Sequence, residues 1–255
     1  MRGLPPLDTH AHVNPDIDPS DLTRLGAVVF AMSRSLDEGA KALSRRDALV
    51  LWGVGCHPSV AQAQRSFDSA EFANHLERTA LVGEIGLDGS ARVPMEEQVH
   101  TFRQVLAVIA ETPRLVSIHS YRATARVLDE LKGIPIRAPI LHWWLGTTEE
   151  TEQAVALGCY FSLNPSVSRR TELLRRIPAE RLLTETDHPF GDRRRPNAAP
   201  GRVEAVERLI AEELGTDDRT VRRQMWRNLL SVVRETRTGH LIPSDVAATL
   251  AAVPP

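Results

Sequence analysis

The chain has 255 residues, of which 42% are hydrophobic and 25% are charged, and its formal net charge is −2. This composition is typical of a globular protein with a substantial core, and it excludes a general electrostatic attraction to nucleic acid. Two cysteines are too few for a disulfide framework, and no apolar run reaches membrane-spanning length. The first residues lack the apolar stretch of a signal peptide, so we expect a cytoplasmic protein that does not bind a membrane.

Eight short apolar runs recur along the chain, separated by segments with helical periodicity. The runs cover residues 7–12, 27–32, 49–55, 80–86, 115–119, 139–143, 159–163 and 181–187. Continuous apolar runs of this length are typical of strands buried on both faces, as in a parallel sheet. Eight such units in one chain of this length favour a closed (β/α)8 TIM barrel over an open sheet. An open nucleotide-binding sheet usually has a glycine-rich phosphate loop after its first strand, whereas the first run here ends in histidines.

The helical segments complete the barrel pattern. Periodicity predicts helices over residues 94–110, 123–131, 148–157, 202–214, 217–235 and 244–252. The stretch 191–201 is polar and contains Arg193, Arg194 and Arg195, so it is predicted to be a loop. We expect residues 1–255 to form a single barrel domain, with the helices of about 202–252 packed against the barrel.

The first run ends in an H-x-H pattern, His10 and His12. Side chains on a strand alternate between faces, so the two imidazoles point the same way and can reach one metal ion. Six of the nine histidines follow or end an apolar run, where barrel enzymes place their active sites. These histidines and the carboxylates near them are His10, His12, His57, His119, His142, His188, Glu84, Asp88 and Asp187. The other three, His75, His100 and His240, are predicted to be surface residues.

This residue set predicts a centre with more than one metal ion. Imidazole and carboxylate ligands together suit zinc, manganese or iron. Within this set, four histidines, one Glu and one Asp are too many ligands for one tetrahedral zinc, whereas they suit two ions bridged by a carboxylate. These six residues are His10, His12, His119, His142, Glu84 and Asp187. The two lysines, Lys41 and Lys132, lie in or just after helical segments. A carboxylated lysine bridge is therefore excluded, and Glu84 is the expected bridge.

Several motifs together resemble the TatD family of metal-dependent deoxyribonucleases. They are Asp8-Thr9-His10-Ala11-His12, Gly55-Cys56-His57-Pro58, Gly83-Glu84-Ile85-Gly86-Leu87-Asp88, Ile118-His119-Ser120, Leu141-His142 and Glu185-Thr186-Asp187-His188-Pro189. They occur in the family's order, and the match runs from about residue 7 to 228. The resemblance implies a TIM barrel of the metallo-dependent hydrolase type that cleaves DNA phosphodiester bonds with two divalent ions, often as a 3′→5′ exonuclease.

The resemblance also implies a role for individual residues. Residues His10, His12 and Asp187 would hold one ion. The second ion would be held by His119 and His142, and Glu84 would bridge the two. The expected catalytic residues are Asp187, which would orient or deprotonate the attacking water, Glu84, and His57, which would contact the scissile phosphate. The histidines favour zinc, whereas the family's chemistry suggests magnesium, and manganese suits the same ligands.

The sequence departs from the family pattern at positions expected to contact substrate. After His142, the family's Cys-Phe-Ser-Gly is replaced by Trp143-Trp144-Leu145-Gly146. Many members have an arginine two residues after the fifth-strand histidine, whereas this chain has Tyr121 there and Arg122 one place later. Asp88 is followed by Gly89-Ser90 rather than by tyrosine. The chain resembles the TatD-like members of Qat anti-phage operons in four stretches, which are Gly86-Leu87-Asp88-Gly89-Ser90, Tyr121-Arg122-Ala123, Leu141-His142-Trp143 and Leu157-Gly158-Cys159-Tyr160-Phe161-Ser162. That resemblance implies a role in anti-phage defence and operon-encoded protein partners.

Three functions are compatible with this pattern. The first is hydrolysis of single-stranded DNA, with Arg122 and residues 193–195 contacting the backbone and Trp143 or Trp144 stacking on a base. For the arginine run the alternative is a solvated loop, and for the tryptophans it is packing at the barrel rim. The second function is a two-metal amidohydrolase or esterase that acts on a small molecule. The third is a defence-complex subunit that becomes active only with a partner.

Overall fold

The computed structural model describes residues 3–191 and 199–253, and the strands in these ranges are parallel. They are β1 (Leu7–His12), β2 (Val28–Met32), β3 (Val50–Trp52), β4 (Leu81–Gly86), β5 (Leu115–His119), β6 (Ile140–His142), β7 (Tyr160–Leu163) and β8 (Leu182–Thr184). Each lies within one of the eight predicted apolar runs. The third, sixth and eighth strands are shorter than their runs, because the last residues of those runs leave the hydrogen-bond ladder at the barrel rim.

Helices cover the outside of the strands. They are α1 (Pro19–Leu25), α2 (Leu36–Ala42), α3 (Ala61–Arg65), α4 (Ser69–Leu76), α5 (Met95–Glu111), α6 (Thr124–Gly133), α7 (Thr148–Ala156), α8 (Glu204–Leu214), α9 (Asp218–Thr236) and α10 (Ser244–Ala251). The connection from β7 to β8 differs from the others, since short 3₁₀ turns at Pro165–Arg169, Thr171–Arg175 and Ala179–Arg181 replace an α-helix. No helix in the described ranges is long and apolar enough to cross a bilayer.

The strands close into a barrel through two narrow seams. Hydrogen-bond ladders join β1 to β3 and, separately, β4 to β8. At one seam, Ala11 pairs with His188, and His12 N–H donates to the His188 carbonyl at 2.8 Å. At the other, Val54 pairs with Val82. The predicted (β/α)8 barrel is thereby confirmed.

The last two long helices are attached to the barrel by specific polar contacts. On α9, the Trp226 indole N–H donates to the Pro5 carbonyl at 2.8 Å, and the Asn228 amide donates to the carbonyls of Ala179 and Leu182. Arg222 on the same helix forms a bidentate ion pair with the buried Glu207 on α8. These contacts place α8 and α9 beside β8 and the start of β1.

Candidate metal centre

The side chains predicted to bind metal meet at the carboxyl ends of the strands. His10 and His12 come from the end of β1, where residues two apart face the same side. Glu84 lies on β4, His119 and His142 are the last residues of β5 and β6, and Asp187 follows β8. The structure therefore brings the six predicted ligands into one buried cluster, and His57 joins them from the segment after β3.

The carboxylate of Glu84 lies at the centre of this cluster, and its two oxygens face different histidines. Oε1 is 2.5 Å from His119 Nδ1 and 2.8 Å from His142 Nε2. Oε2 is 3.1 Å from His12 Nε2, 3.2 Å from His57 Nε2 and 3.6 Å from His10 Nε2. A carboxylate that presents one oxygen to each of two ligand sets has the geometry of a bridge between two ions.

Asp187 completes the ligand set around Oε2 of Glu84. Its Oδ1 lies 3.7 Å from Nε2 of both His10 and His12. The backbone of Asp187 is left-handed, with φ of 45°, and its N–H donates to the His10 carbonyl at 2.9 Å. Aspartate tolerates this conformation better than most residues, and such backbone strain is common at functional sites. The chain thus turns sharply after β8 and directs the carboxylate toward the two histidines.

Several buried side-chain atoms of the cluster have no hydrogen-bond partner among the described residues. They include His10 Nε2 and Glu84 Oε2, although other nitrogens and oxygens lie 3.1–3.7 Å from these two atoms. Buried polar atoms without partners are costly, and atoms that converge without hydrogen-bond geometry are typical of ligands around a cation. The donors present, imidazole nitrogens and carboxylate oxygens, therefore fit divalent metal ions.

Sequence comparison places the chain among known proteins. A profile of TatD-related DNases matches residues 7–234. The chain belongs to this TatD family. A Bacillus subtilis protein named as the uncharacterized metal-dependent hydrolase YabD is 28% identical over 233 residues, covering 81% of this chain and 90% of that one. The 3′-5′ ssDNA/RNA exonuclease TatD of Erwinia amylovora is 32% identical over 178 residues, covering 65% and 68%.

Solved structures share the architecture. The Escherichia coli TatD homologue YjjV superposes with a TM-score of 0.76 at 20% identity, covering 88% of this chain and 97% of that one. A TatD-family hydrolase from Entamoeba histolytica gives a TM-score of 0.72 at 15% identity, with coverages of 91% and 99%. The predicted family and fold are confirmed. This TatD-family chain is a metal-dependent hydrolase, and divalent metal ions are its cofactors.

A second layer of polar groups orients the ligands of the TatD-family site. Ser117 Oγ lies 2.7 Å from His10 Nδ1, and Asp88 Oδ2 lies 3.3 Å from His119 Nε2. Glu185 Oε1 lies 3.8 Å from His142 Nδ1 and accepts from the Trp143 N–H at 3.0 Å. The Ser117 contact is a hydrogen bond, and such a bond to the far nitrogen of a ligating histidine fixes its tautomer and ring orientation. Asp88 and Glu185 instead place negative charge beside His119 and His142.

Sequence reasoning did not assign roles to Ser117 or Glu185. Ser117 precedes the ligand His119 by two residues on β5, and Glu185 precedes the ligand Asp187 by two residues after β8. Each residue therefore stands two places before a predicted ligand, and this spacing is the signal in the sequence that points to them. The identity of the histidine that each residue supports depends on strand pairing, which only the structure shows.

Charge within the cluster is unevenly shared. Burial alone would raise the pKa of Glu84, but the neighbouring charges of His57, His142 and His119 hold it well below its usual range. Burial would lower the pKa of His142, yet the Glu84 carboxylate raises it well above normal. For His10, which stacks on His142 at 3.8 Å, burial lowers the pKa well below normal. The bridge position therefore carries a firmly ionised carboxylate.

The carboxyl group of Asp187 behaves differently from that of Glu84. Burial raises the pKa of Asp187 well above its usual range; His142 opposes the shift, and the charges of Glu185 and Glu84 add to it. A raised pKa makes a carboxylate a stronger proton acceptor. The two central carboxylates are thus set apart, one suited to holding charge and one suited to accepting a proton.

The residues predicted to contact substrate lie in different environments. His57 Nε2 is 3.2 Å from Glu84 Oε2, so it lies within the ligand cluster itself; its Nδ1 accepts from the Ser59 N–H. Arg122 is exposed, and its guanidinium lies 5.4 Å from the centroid of the Tyr121 ring. Trp143 is half-buried and lines a groove beside the site.

The structure also decides several of the alternatives. Trp144 is only 2% exposed and its indole N–H donates to Thr151 Oγ1, so packing is correct for this residue and base stacking is wrong. Both lysines lie on outer helices, which confirms that no lysine reaches the metal centre. His100 and His240 are exposed as predicted, whereas the side chain of His75 is only 14% exposed. Residues 193–195 lie outside the described residues.

Proposed function

We propose that this enzyme hydrolyses phosphodiester bonds of single-stranded DNA from the 3′ end. The observation that carries the proposal is Glu84, whose two oxygens face two separate sets of histidines. Such a centre suits phosphoryl transfer, in which a charged phosphate must be held and its leaving oxygen stabilised. The relative named as a 3′-5′ ssDNA/RNA exonuclease supports the choice of substrate and polarity.

Each ligand has a role in this proposal. One divalent ion would be held by His10, His12 and Asp187, and a second by His119 and His142, with Glu84 bridging them. Two such ions supply positive charge for the phosphate and lower the pKa of water at the site. Zinc, manganese and magnesium are all candidates, because the imidazoles favour zinc and phosphoryl chemistry commonly uses magnesium.

The reaction is an in-line displacement by water. Asp187 accepts a proton from the water that attacks phosphorus. The bond between phosphorus and the 3′-oxygen of the preceding nucleotide breaks, and that oxygen takes a proton from solvent. A 5′-nucleotide is released, and the strand is shortened by one residue. His57 contacts the scissile phosphate from the exposed side of the cluster, while Arg122 and Trp143 contact the neighbouring nucleotide.

The test is digestion of single-stranded DNA labelled at its 5′ end, with Mg²⁺, Mn²⁺ or Zn²⁺ added in turn. A His10→Ala/Asp187→Asn variant is the control. We expect a ladder of 5′-labelled products that shortens one nucleotide at a time with the wild-type protein and not with the variant. Parallel RNA and duplex substrates define the preference. Intact DNA under every metal, with hydrolysis of small esters or lactones instead, would establish the small-molecule hydrolase.

We also propose, from the sequence resemblance, that the enzyme acts in anti-phage defence in the cytoplasm as a single barrel domain. The two cysteines, Cys56 and Cys159, are free and buried, as is usual in a reducing compartment. Plaque counts on cells that carry the intact operon, compared with the same operon carrying Glu84→Gln, test the role. A protein that cleaves DNA only with an operon-encoded partner would support the partner-activated alternative, whereas equal plaque counts would refute a defence role.

A further inference from the structure

A groove of about 580 Å³ runs along the barrel rim beside the metal centre. We call it the rim groove. Its lining includes Tyr121, Trp143, Leu145, Arg169, Arg170 and Arg208. These residues come from the loops after β5 and β6, the 3₁₀ turn after β7, and α8. Of the residues that line this groove, the sequence predicts a substrate contact only for Trp143.

Several residues that line the rim groove stand close in sequence to the metal ligands. Trp143 directly follows the ligand His142, and Tyr121 stands two residues after the ligand His119. Gly191, four residues after Asp187, lines the groove from the remaining direction. A strand whose terminal linkage is held at the metal centre can therefore reach this groove with its neighbouring nucleotides.

The groove offers an aromatic and apolar surface for bases. Tyr121 is 42% exposed and Leu145 is 36% exposed, so both are available to a ligand. The Arg122 guanidinium lies over the Tyr121 ring and holds it at the groove edge. Bases stack on exposed aromatic rings whatever their sequence, with a typical gain of about 1–3 kcal/mol per base.

The groove also offers cations that are not neutralised. Among the described residues, neither Arg169 nor Arg208 has a carboxylate partner, and Glu212 is the one acidic side chain in the lining. Both arginines are exposed. The chain as a whole is slightly acidic, so this local excess of positive charge is not a general property of its surface. Unpaired arginines beside aromatic rings match the alternating phosphates and bases of a single strand.

One wall of the groove is fixed before any ligand binds. The Arg170 guanidinium donates to the carbonyls of Leu145 and Gly146, at 2.6 and 3.0 Å. These bonds tie the turn after β7 to the loop after β6. A preformed wall lowers the entropic cost of binding a flexible strand.

We propose that the rim groove binds the nucleotides next to the scissile linkage, with bases on Tyr121 and Trp143 and phosphates on Arg169 and Arg208. This inference rests on the proposed nuclease function. A cavity of this volume holds a ligand of drug-like size, about one or two nucleotides. Catalytic efficiency should therefore rise with substrate length and then level off.

The test compares substrates that fill the groove with one that does not. The kcat/KM values are measured for oligothymidylates of two, four and eight nucleotides and for bis(4-nitrophenyl) phosphate, which reaches only the metal centre. The Tyr121→Ala/Arg169→Ala/Arg208→Ala variant should lower the ratio of the eight-nucleotide value to the small-diester value about tenfold or more. The matched control, Arg219→Ala/Arg223→Ala on α9, removes two exposed cations outside the groove and should keep the wild-type ratio.

A binding measurement separates this inference from the proposed function. The eight-nucleotide strand, labelled with fluorescein, is titrated with Asp187→Asn protein, with and without the three groove substitutions. Weaker binding after the groove substitutions supports the groove even if the wild-type protein cleaves no DNA. Wild-type cleavage with an unchanged length ratio in the groove variant overturns the groove inference alone. Equal competition by a poly-glutamate peptide, or preferential binding of duplex DNA, would also overturn it.

Discussion

The metal centre and the rim groove lie side by side on one face of the barrel, yet they are built differently. The ligands are largely buried residues at strand ends; behind them, Ser117 is hydrogen-bonded to His10 and the Glu185 carboxylate lies beside His142. The groove is formed by loops and one helix face, and its side chains are exposed or half-buried. Rigid strands suit chemistry that needs precise distances, whereas loops can vary without loss of the core. The comparison indicates that reaction type and substrate choice are carried by separate parts of the molecule.

The largest effect should come from removing the bridge. Glu84→Gln replaces the one side chain that faces both histidine sets, so we expect kcat/KM on single-stranded DNA to fall by about 10³-fold or more. Metal content, measured by elemental analysis, should fall with it. The circular dichroism spectrum should match that of the wild type. A variant that keeps full metal content and activity would show that Glu84 bridges nothing.

A smaller effect should come from the layer behind the ligands. Glu185→Gln removes the negative charge that faces His142 Nδ1, and loss of such partners typically costs about 10–100-fold in metal affinity or activity. Competition with a fluorescent chelator gives the affinity. The exposed Glu172→Gln is the control, with no expected change. If both variants bind metal equally well, Glu185 does not orient the histidine.

Metal removal tests how far the centre supports the fold. The cluster gathers side chains from strands that are distant in sequence, so the unfolded chain lacks the site. At a free ion concentration about 100 times the dissociation constant, each site should stabilise the native state by about 2.7 kcal/mol. Two sites would give about 5.4 kcal/mol, so for a chain of this size chelation should lower Tm by about 10–20 °C. Calorimetry with and without EDTA measures the shift, and the Glu84→Gln protein should respond less. An unchanged wild-type Tm would mean that the centre contributes nothing to stability.

The smallest effect should be confined to the groove. Each phosphate contact that is lost should reduce the slope of log KM against log salt concentration by about 0.7 for a single strand. Arg208→Ala is therefore expected to flatten the salt dependence for an oligonucleotide with little change in kcat. The small diester, which does not reach the groove, should show no such dependence with either protein. If the variant's slope of log KM against log salt concentration equals that of the wild type, Arg208 does not contact a phosphate of the substrate.

The parts that sequence predicted well are those fixed by local pattern. The eight apolar runs located every strand, and the spacing of His10 and His12 on β1 was enough to place both imidazoles together. Partners across strands were not predictable in the same way, because the contact of Glu185 with His142 depends on how the rim segments converge. The three turns between β7 and β8 were also unanticipated, since 3₁₀ turns have no long apolar periodicity.

The seam between β1 and β8 has a consequence for how this protein is made. The Asp187 N–H bonds to the His10 carbonyl, so the two ends of the barrel meet within a single ligand set. Contacts between residues this far apart in sequence form late, because a long loop must close first. During synthesis, the chain leaves the ribosome from its N-terminus, so His10 is translated long before Asp187, the carboxylate that lies beside it in the folded protein. The metal centre is therefore complete only after residue 187 has been translated, and a chain that ends before Asp187 lacks one of the predicted ligands.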